Sequence, residues 1–182
     1  MSVKSLGDVG TKELSEVLRH NTTITRLDLS CNCISAVGAS ALADCLAENS
    51  TICAVDLSAN NFGVDGGVAL AHAISQNKTL TSIDLHSCNL GDHGCMALAM
   101  ALSQDCALLH LNLRANAIGD EGALSLAFAL EHNTTLQSIN LLTNDFGDAG
   151  MEALQPVLKQ HPSVKMDESS GVSLEEAGCN IC

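Results

Sequence analysis

Leu108-Leu109-His110-Leu111-Asn112-Leu113-Arg114-Ala115-Asn116-Ala117-Ile118-Gly119-Asp120-Glu121-Gly122 decides the fold. Its large apolar side chains stand at 108, 111, 113 and 118, with an asparagine at 116. A Gly-Asp-Glu-Gly turn follows. The same residue classes return every 28 residues. Leu108 belongs with Ile24, Ile52, Leu80 and Leu136. Leu111 belongs with Leu27, Val55, Ile83 and Ile139, and Leu113 with Leu29, Leu57, Leu85 and Leu141. Asn116 has Asn32, Asn60, Cys88 and Asn144 as counterparts, and Ile118 has Ile34, Phe62, Leu90 and Phe146. Five units in unbroken phase mark a repeat array, in which each unit buries its apolar face only against its neighbours.

Within a unit the pair 111 and 113 alternates with period two, so it predicts a short strand with one buried face. The asparagine turns the chain out of the strand and offers its amide to buried backbone groups of adjoining units. Cys88 takes that place once and reads as a buried structural thiol. The second half of each unit is helical. Leu14, Leu42, Leu70, Leu98, Leu126 and Leu154 open an apolar stripe. Four residues on, Leu18, Leu46, Ile74, Leu102, Leu130 and Leu158 continue it on the same helical face. Small residues between them, such as Ala71, Ala99 and Ala127, allow close packing. Asp120 and Asp148 are placed to cap the helices they begin. Asn21, Asn49, Asn77 and Asn133 are placed to end helices in the left-handed cap conformation.

Parallel strands starting near residues 25, 53, 81, 109 and 137 are expected, each followed by a helix. Leu6 to His20 is a partial unit with a turn and a helix but no strand before it, which suits a piece cut from a longer repeat protein. The missing strand leaves Arg26 to Ser30 as an expected open sheet edge. At the other end Val164 falls at the phase of a sixth strand, yet Asp167 and Ser169 occupy the positions of Leu27 and Leu29. The division is therefore a repeat domain over 1–163, with a partial unit at 6–23 and full units from 24, 52, 80, 108 and 136. A degenerate strand and acidic tail occupy 164–182.

The pattern L-x-x-L-x-L-x-x-N/C-x-L resembles the leucine-rich repeats. The 28-residue length, the helical return and the I-G-D-x-G turn are similar to the ribonuclease-inhibitor-like class, over about residues 6 to 164. Relatives in that class include the Ran GTPase-activating protein and the repeat domains of NOD-like receptors. The resemblance implies an α/β right-handed solenoid in a horseshoe arc, with a parallel β-sheet on the concave face and α-helices on the convex face. It also implies a protein-protein interaction module without catalysis and without a cofactor. The runner-up is a regulator of a small GTPase, to which Arg114 would serve as an arginine finger.

Composition narrows the partner. Of 182 residues 46% are hydrophobic, enough for a core, while there is no Trp, no Tyr and only three Phe. Eight Lys and Arg against 21 Asp and Glu give a formal charge of -13. Such a chain lacks the stacking platforms and basic patches of a nucleic-acid reader and would repel phosphates. No transmembrane run and no signal peptide are visible. Nine cysteines without a secretion signal then read as reduced thiols in a cytoplasmic protein.

Variable strand positions face the concave side and carry the candidate site. One column holds Arg26, Ala54, Ser82, His110 and Ser138. The next holds Asp28, Asp56, Asp84, Asn112 and Asn140, and the third Ser30, Ser58, His86, Arg114 and Leu142. Parallel strands lie about 4.8 Å apart. Asp28, Asp56 and Asp84 should therefore form a carboxylate ladder, with His86, His110, Asn112 and Arg114 beside it. Together with Arg26 and Asn140, these are the predicted partner-binding residues, suited to a basic segment of another protein. His86 and His110 lie four positions apart in phase, hence about 13 Å or more, too far to share a metal. No catalytic or metal site is expected. Four Asn-x-Ser/Thr sequons recur at 21, 49, 77 and 133 as a by-product of the repeat. The Cys31-x-Cys33 pair has no second pair in register, so it makes a poor zinc site. Cys179-Asn180-Ile181-Cys182 fits a prenylation box with an unusual last residue, and a lipid on Cys179 would anchor only weakly beside acidic residues.

Overall fold

In a computed structural model of the chain, residues 5–104, 106–160 and 164–165 are described, with 158–160 and 164–165 described by backbone only. Among the described residues twelve elements alternate: α1 (Gly7–Leu18), β1 (Arg26–Asp28), α2 (Ala36–Glu48), β2 (Ala54–Asp56), α3 (Gly63–Gln76), β3 (Ser82–Asp84), α4 (Gly91–Leu102), β4 (His110–Asn112), α5 (Asp120–His132), β5 (Ser138–Asn140), α6 (Asp148–Gln160) and β6 (Val164–Lys165). The strands pair parallel in the order β1-β2-β3-β4-β5-β6. Each helix packs on the next. Strands sit about 4.8 Å apart while packed helices need about 8–10 Å, so the stack must curve with its sheet inside. This is the expected solenoid with strands on the concave face.

The register repeats the sequence period. Leu27 stands opposite Val55, Val55 opposite Ile83, Ile83 opposite Leu111, and Leu111 opposite Ile139. The core is a set of such columns. Leu42, Leu70, Leu98, Leu126 and Leu154 form one, and Ile34, Phe62, Leu90 and Ile118 another, all of them sealed from solvent. Burial of each large aliphatic side chain is worth about 1.5–3 kcal/mol. Leu27, on the strand with a neighbour on one side only, is half-buried where Val55 and Ile83 are buried.

β6 departs from the expected phase. Val164 pairs opposite Ile139 and Lys165 opposite Asn140. Val164 thus takes the Leu27 place, not the Ile24 place, three residues short of the 28-residue spacing from Ile139. The backbone of Lys165 extends the column that begins at Asp28.

Two rungs of asparagine hold the units together. In the first, Asn60 Nδ2 donates to Leu29 O at 2.9 Å and Leu57 O at 2.8 Å, while Oδ1 accepts from the N–H groups of Asn32 and Ile34. Asn116 and Asn144 repeat this for their own neighbours. Cys88 substitutes with its thiol donating to Leu57 O at 3.3 Å, and burial pushes that thiol up to about 12. Residues flanking this rung adopt left-handed backbone without being glycine, among them Ala59, Ala115 and Ala117 at φ 53–54°.

The second rung is made by the asparagines after the helices. Asn49 and Asn77 are extended, with ψ 126° and 131°, so the left-handed cap expected for them is corrected. Their amides turn inward. Asn49 Nδ2 donates to Leu18 O at 2.7 Å and its Oδ1 accepts from Thr51 and Ile52 N–H. Asn77 and Asn133 make the same bonds one and three units later. The side chain that ends one helix therefore ties off the carbonyl end of the helix before it.

Helix starts are corrected in the same sense. Asp120 does not cap α5, whose N-cap is Gly119 without a side-chain bond. Asp120 Oδ1 instead accepts from Gly147 N–H at 2.7 Å and Gly150 N–H at 2.9 Å at the start of α6. Asp92 serves Gly119 and Gly122 at the start of α5, and Asp8 serves Ser35 and Gly38 at the start of α2.

Candidate partner-binding surface

The sheet brings the predicted columns together as expected. Arg26, Ala54, Ser82, His110 and Ser138 align across five strands, and Asp28, Asp56, Asp84, Asn112 and Asn140 align beside them. The alternation of the strands buries Val55, Ile83, Leu111 and Ile139 and turns the intervening residues outward. Arg26, Asp28 and His110 are exposed, and Asp56, Asp84, His86, Asn112, Arg114 and Asn140 are half-buried.

Local bonds fix the carboxylates. Asp28 Oδ1 accepts from the Ser30 N–H at 3.0 Å and the Ser30 hydroxyl at 2.7 Å. Asp56 does the same with Ser58 at 2.9 and 2.7 Å, and Asp84 Oδ1 accepts from the His86 N–H at 2.9 Å. Asn112 and Asn140 hold Arg114 and Leu142 through the same turn. Acceptor oxygens that close this turn are therefore part of how each strand ends, whether acid or amide supplies them. The Ser30 hydroxyl and N–H bonds hold the Asp28 carboxyl below the usual carboxylate range. Asp28 is thus ionised near neutrality.

Charge changes sharply along the column. Its first three members are acids and the next two are amides. At the boundary Asn112 Nδ2 donates to Asp84 Oδ2 at 2.9 Å, which joins the two halves. His110 Nδ1 lies 2.8 Å from the Ser138 hydroxyl in the adjoining column. The surface is an open trough: one shallow hollow is lined by Arg26, Asp28, Asp56 and Asp84 and another by His110, Asn112, Ser138 and Asn140. Among the described residues no group of three or more His, Cys, Asp or Glu side chains could hold a metal ion. No described helix is long and apolar enough to cross a membrane.

Other residues singled out by the sequence fall into place as structure. Asn49, Asn77 and Asn133 are buried with their amides bonded, so these sequons are closed to a glycan in the folded chain. Cys45, Cys88, Cys95 and Cys106 are buried free thiols. Burial pushes the Cys45 and Cys95 thiols up, which leaves them inert as nucleophiles. Cys33 is half-buried rather than sealed in the core. Cys179 lies outside the described residues. The strand columns gave no sign of the convex side, where α3, α4 and α5 expose large apolar residues. Comparing helix positions 28 residues apart would have found them.

A curved stack of strand–helix units, closed by asparagine rungs and open along its strand face, defines a class of repeat solenoid. Residues 20–43, 48–71, 76–99, 104–127 and 132–154 each match the family described as Leucine Rich repeat. The chain belongs to the leucine-rich repeat family. No curated protein sequence matches it significantly. Among solved structures it is similar to "Leiomodin-1 Actin-Binding Site 2 (ABS2)", with a TM-score of 0.68 and 20% identity over 82% of this chain and 88% of that one. At that identity the likeness is one of fold.

Proposed function

We propose that this chain is a protein-binding module that acts without catalysis, docking a Lys- or Arg-rich extended segment of another protein along its concave face. The in-register column Asp28–Asp56–Asp84 carries the reading. Three like charges set side by side on a rigid sheet repel one another, and a cationic partner relieves that repulsion. The formal charge of -13 supports steering of a basic ligand toward the trough. The binding set is Arg26, Asp28, Asp56, Asp84, His86, His110, Asn112, Arg114 and Asn140, with the acids attracting and the polar half fixing orientation. The buried free thiols and the charge pattern suit a reducing cytoplasmic setting, and the strand–helix unit suits the ribonuclease-inhibitor-like class.

The solved relative is named as an actin-binding site, so actin is the first natural ligand to assay, by co-sedimentation. The chemistry of the trough is tested with a fluorescent lysine-rich peptide that contains no apolar residues. Binding should weaken at least tenfold in the triple variant Asp28→Asn, Asp56→Asn, Asp84→Asn, and should fall with added salt in the parent chain. Asn keeps the turn-closing oxygen, so the variant should stay folded. Equal affinity in both proteins, with matching salt dependence, would overturn the reading.

A further inference from the structure

We infer that the convex face of α3, α4 and α5 is a second docking surface, which takes a cationic amphipathic helix of a partner protein. Two columns of outward helix positions carry it. Val68, Met96 and Leu124 follow one another at 28-residue spacing on the three helices, and Met100 and Phe128 follow His72 in the same way. Met100 and Phe128 are 69% and 65% exposed, and Leu124 and Val68 51% and 47%. Met96, Met100, Leu124 and Phe128 line an apolar hollow between α4 and α5.

The patch has edges. In the same columns α1 and α2 carry Lys12, Glu16, Ser40 and Asp44, all exposed, and α6 carries Glu152 and Pro156, also exposed. The large apolar residues are therefore confined to α3, α4 and α5 in the first column and to α4 and α5 in the second, not a general property of the repeat. Nothing in the core needs them, since the buried stripe lies on the opposite side of each helix. Contiguous apolar surface of this kind marks interaction sites, and exposed methionines adapt to varied apolar partners. The hollow runs between two adjacent helices, which suits anchors spaced along one face of a docked helix.

Charge selects the occupant. α3, α4 and α5 contain no Lys or Arg, and they carry Asp65, Asp92, Asp120, Glu121 and Glu131. A second copy would bring the same acids and a formal charge of -13 against its own kind. An anionic membrane surface would be repelled in the same way. A helix with leucines on one face and lysines on the other satisfies both the hollow and its acidic surround.

The probe is a fluorescent Leu/Lys amphipathic helical peptide of about five turns, titrated into the full chain, with a Leu/Glu peptide of the same pattern as control. The double variant Met100→Ser, Phe128→Ser should bind the Leu/Lys peptide at least tenfold more weakly, and the parent chain should bind the Leu/Glu peptide at least tenfold more weakly. Phe128→Gln alone should weaken binding severalfold, and it keeps the test in force if the double variant unfolds. Phe128→Gln should leave binding of the lysine-rich peptide without apolar residues unchanged, so failure here and failure of the concave reading are separate results. Unchanged affinity in Phe128→Gln and the double variant overturns the inference. So does a dimer in sedimentation equilibrium that Phe128→Gln abolishes, which would assign the face to a second copy. Binding to phosphatidylserine vesicles that Phe128→Gln abolishes would assign it to lipid instead, and also overturns it.

Discussion

The helices begin in two different ways. At α2 and α5 the residue before the helix is extended: Ser35 has φ -94° and ψ -173°, and Gly119 has φ -97° and ψ -158°. A carboxylate from the unit before, Asp8 or Asp92, accepts two of the first N–H groups. At α3 and α4 the preceding residues, Phe62 and Leu90, are already helical, and the first residues, Gly63 and Gly91, take φ +61° and +59°. Their N–H groups go to Cys88 O and Asn116 O of the unit after. The cause lies 28 residues upstream of the place where it acts. The position filled by Asp8, Asp92 and Asp120 holds Ala36 and Val64 in the units before α3 and α4. With no acceptor from behind, the chain turns its N–H forward, and only glycine takes that backbone without strain. A helix cap in this solenoid is a property of two units.

The largest effect that could break this contrast is at Gly122. A Cβ there would lie 2.5 Å from Ile118 Cγ2 and 2.8 Å from Asp92 Oδ1. Gly122→Ala should therefore push the capping carboxylate away and cost about 2 kcal/mol in urea unfolding. At Gly91 an added Cβ meets nothing within 4 Å, and only the positive φ resists it. Gly91→Ala should then cost about 1 kcal/mol. A larger cost at Gly91 than at Gly122 would show that the two kinds of helix start are not built as described.

The carboxylates themselves come next. Asp120→Ala should cost about 1 kcal/mol, the usual worth of a cap, and should speed amide exchange at Gly147 and Gly150 in α6 rather than within α5. Val64→Ala, at the equivalent place without a cap, should change stability by less than about 0.5 kcal/mol.

Acid should remove the difference. Burial raises the Asp8 carboxyl, but bonds from the Ser35 hydroxyl and the Ser35 and Gly38 N–H groups outweigh it and hold the group below the usual carboxylate range. A folded-state value below the unfolded one stabilises fully above the unfolded value and loses that stabilisation as pH falls through the folded one. The melting-temperature gap between the parent chain and Asp8→Asn should thus be constant above pH about 5 and shrink below pH about 4. A gap that widens in acid would contradict the assignment.

The last expected effect is a gain. Ala117 holds φ +53° beside the asparagine rung. Ala117→Gly relieves that backbone but adds freedom to the unfolded chain, for a net stabilisation of about 0.5 kcal/mol by thermal melting. Any loss would show that the methyl group packs usefully there.

Sequence alone determined the 28-residue unit, the strand and helix in each, the apolar stripe, and which residues share a concave column. These follow from local periodicity, because a strand repeats every two residues and a helix every 3.6 whatever lies beside them. The carboxylate column at Asp28, Asp56 and Asp84 was legible for that reason. Tertiary structure alone decided which unit each polar group serves. Asp120 looks like a cap for its own helix and Asn49 like a left-handed stop. Yet their bonds reach 27 to 31 residues along the chain, to Gly147, Gly150 and Leu18. No local pattern carries that information, since a hydrogen bond between units exists only once the stack has set their separation. The three-residue shift of β6 has the same origin: register belongs to the packed array, not to the unit that repeats.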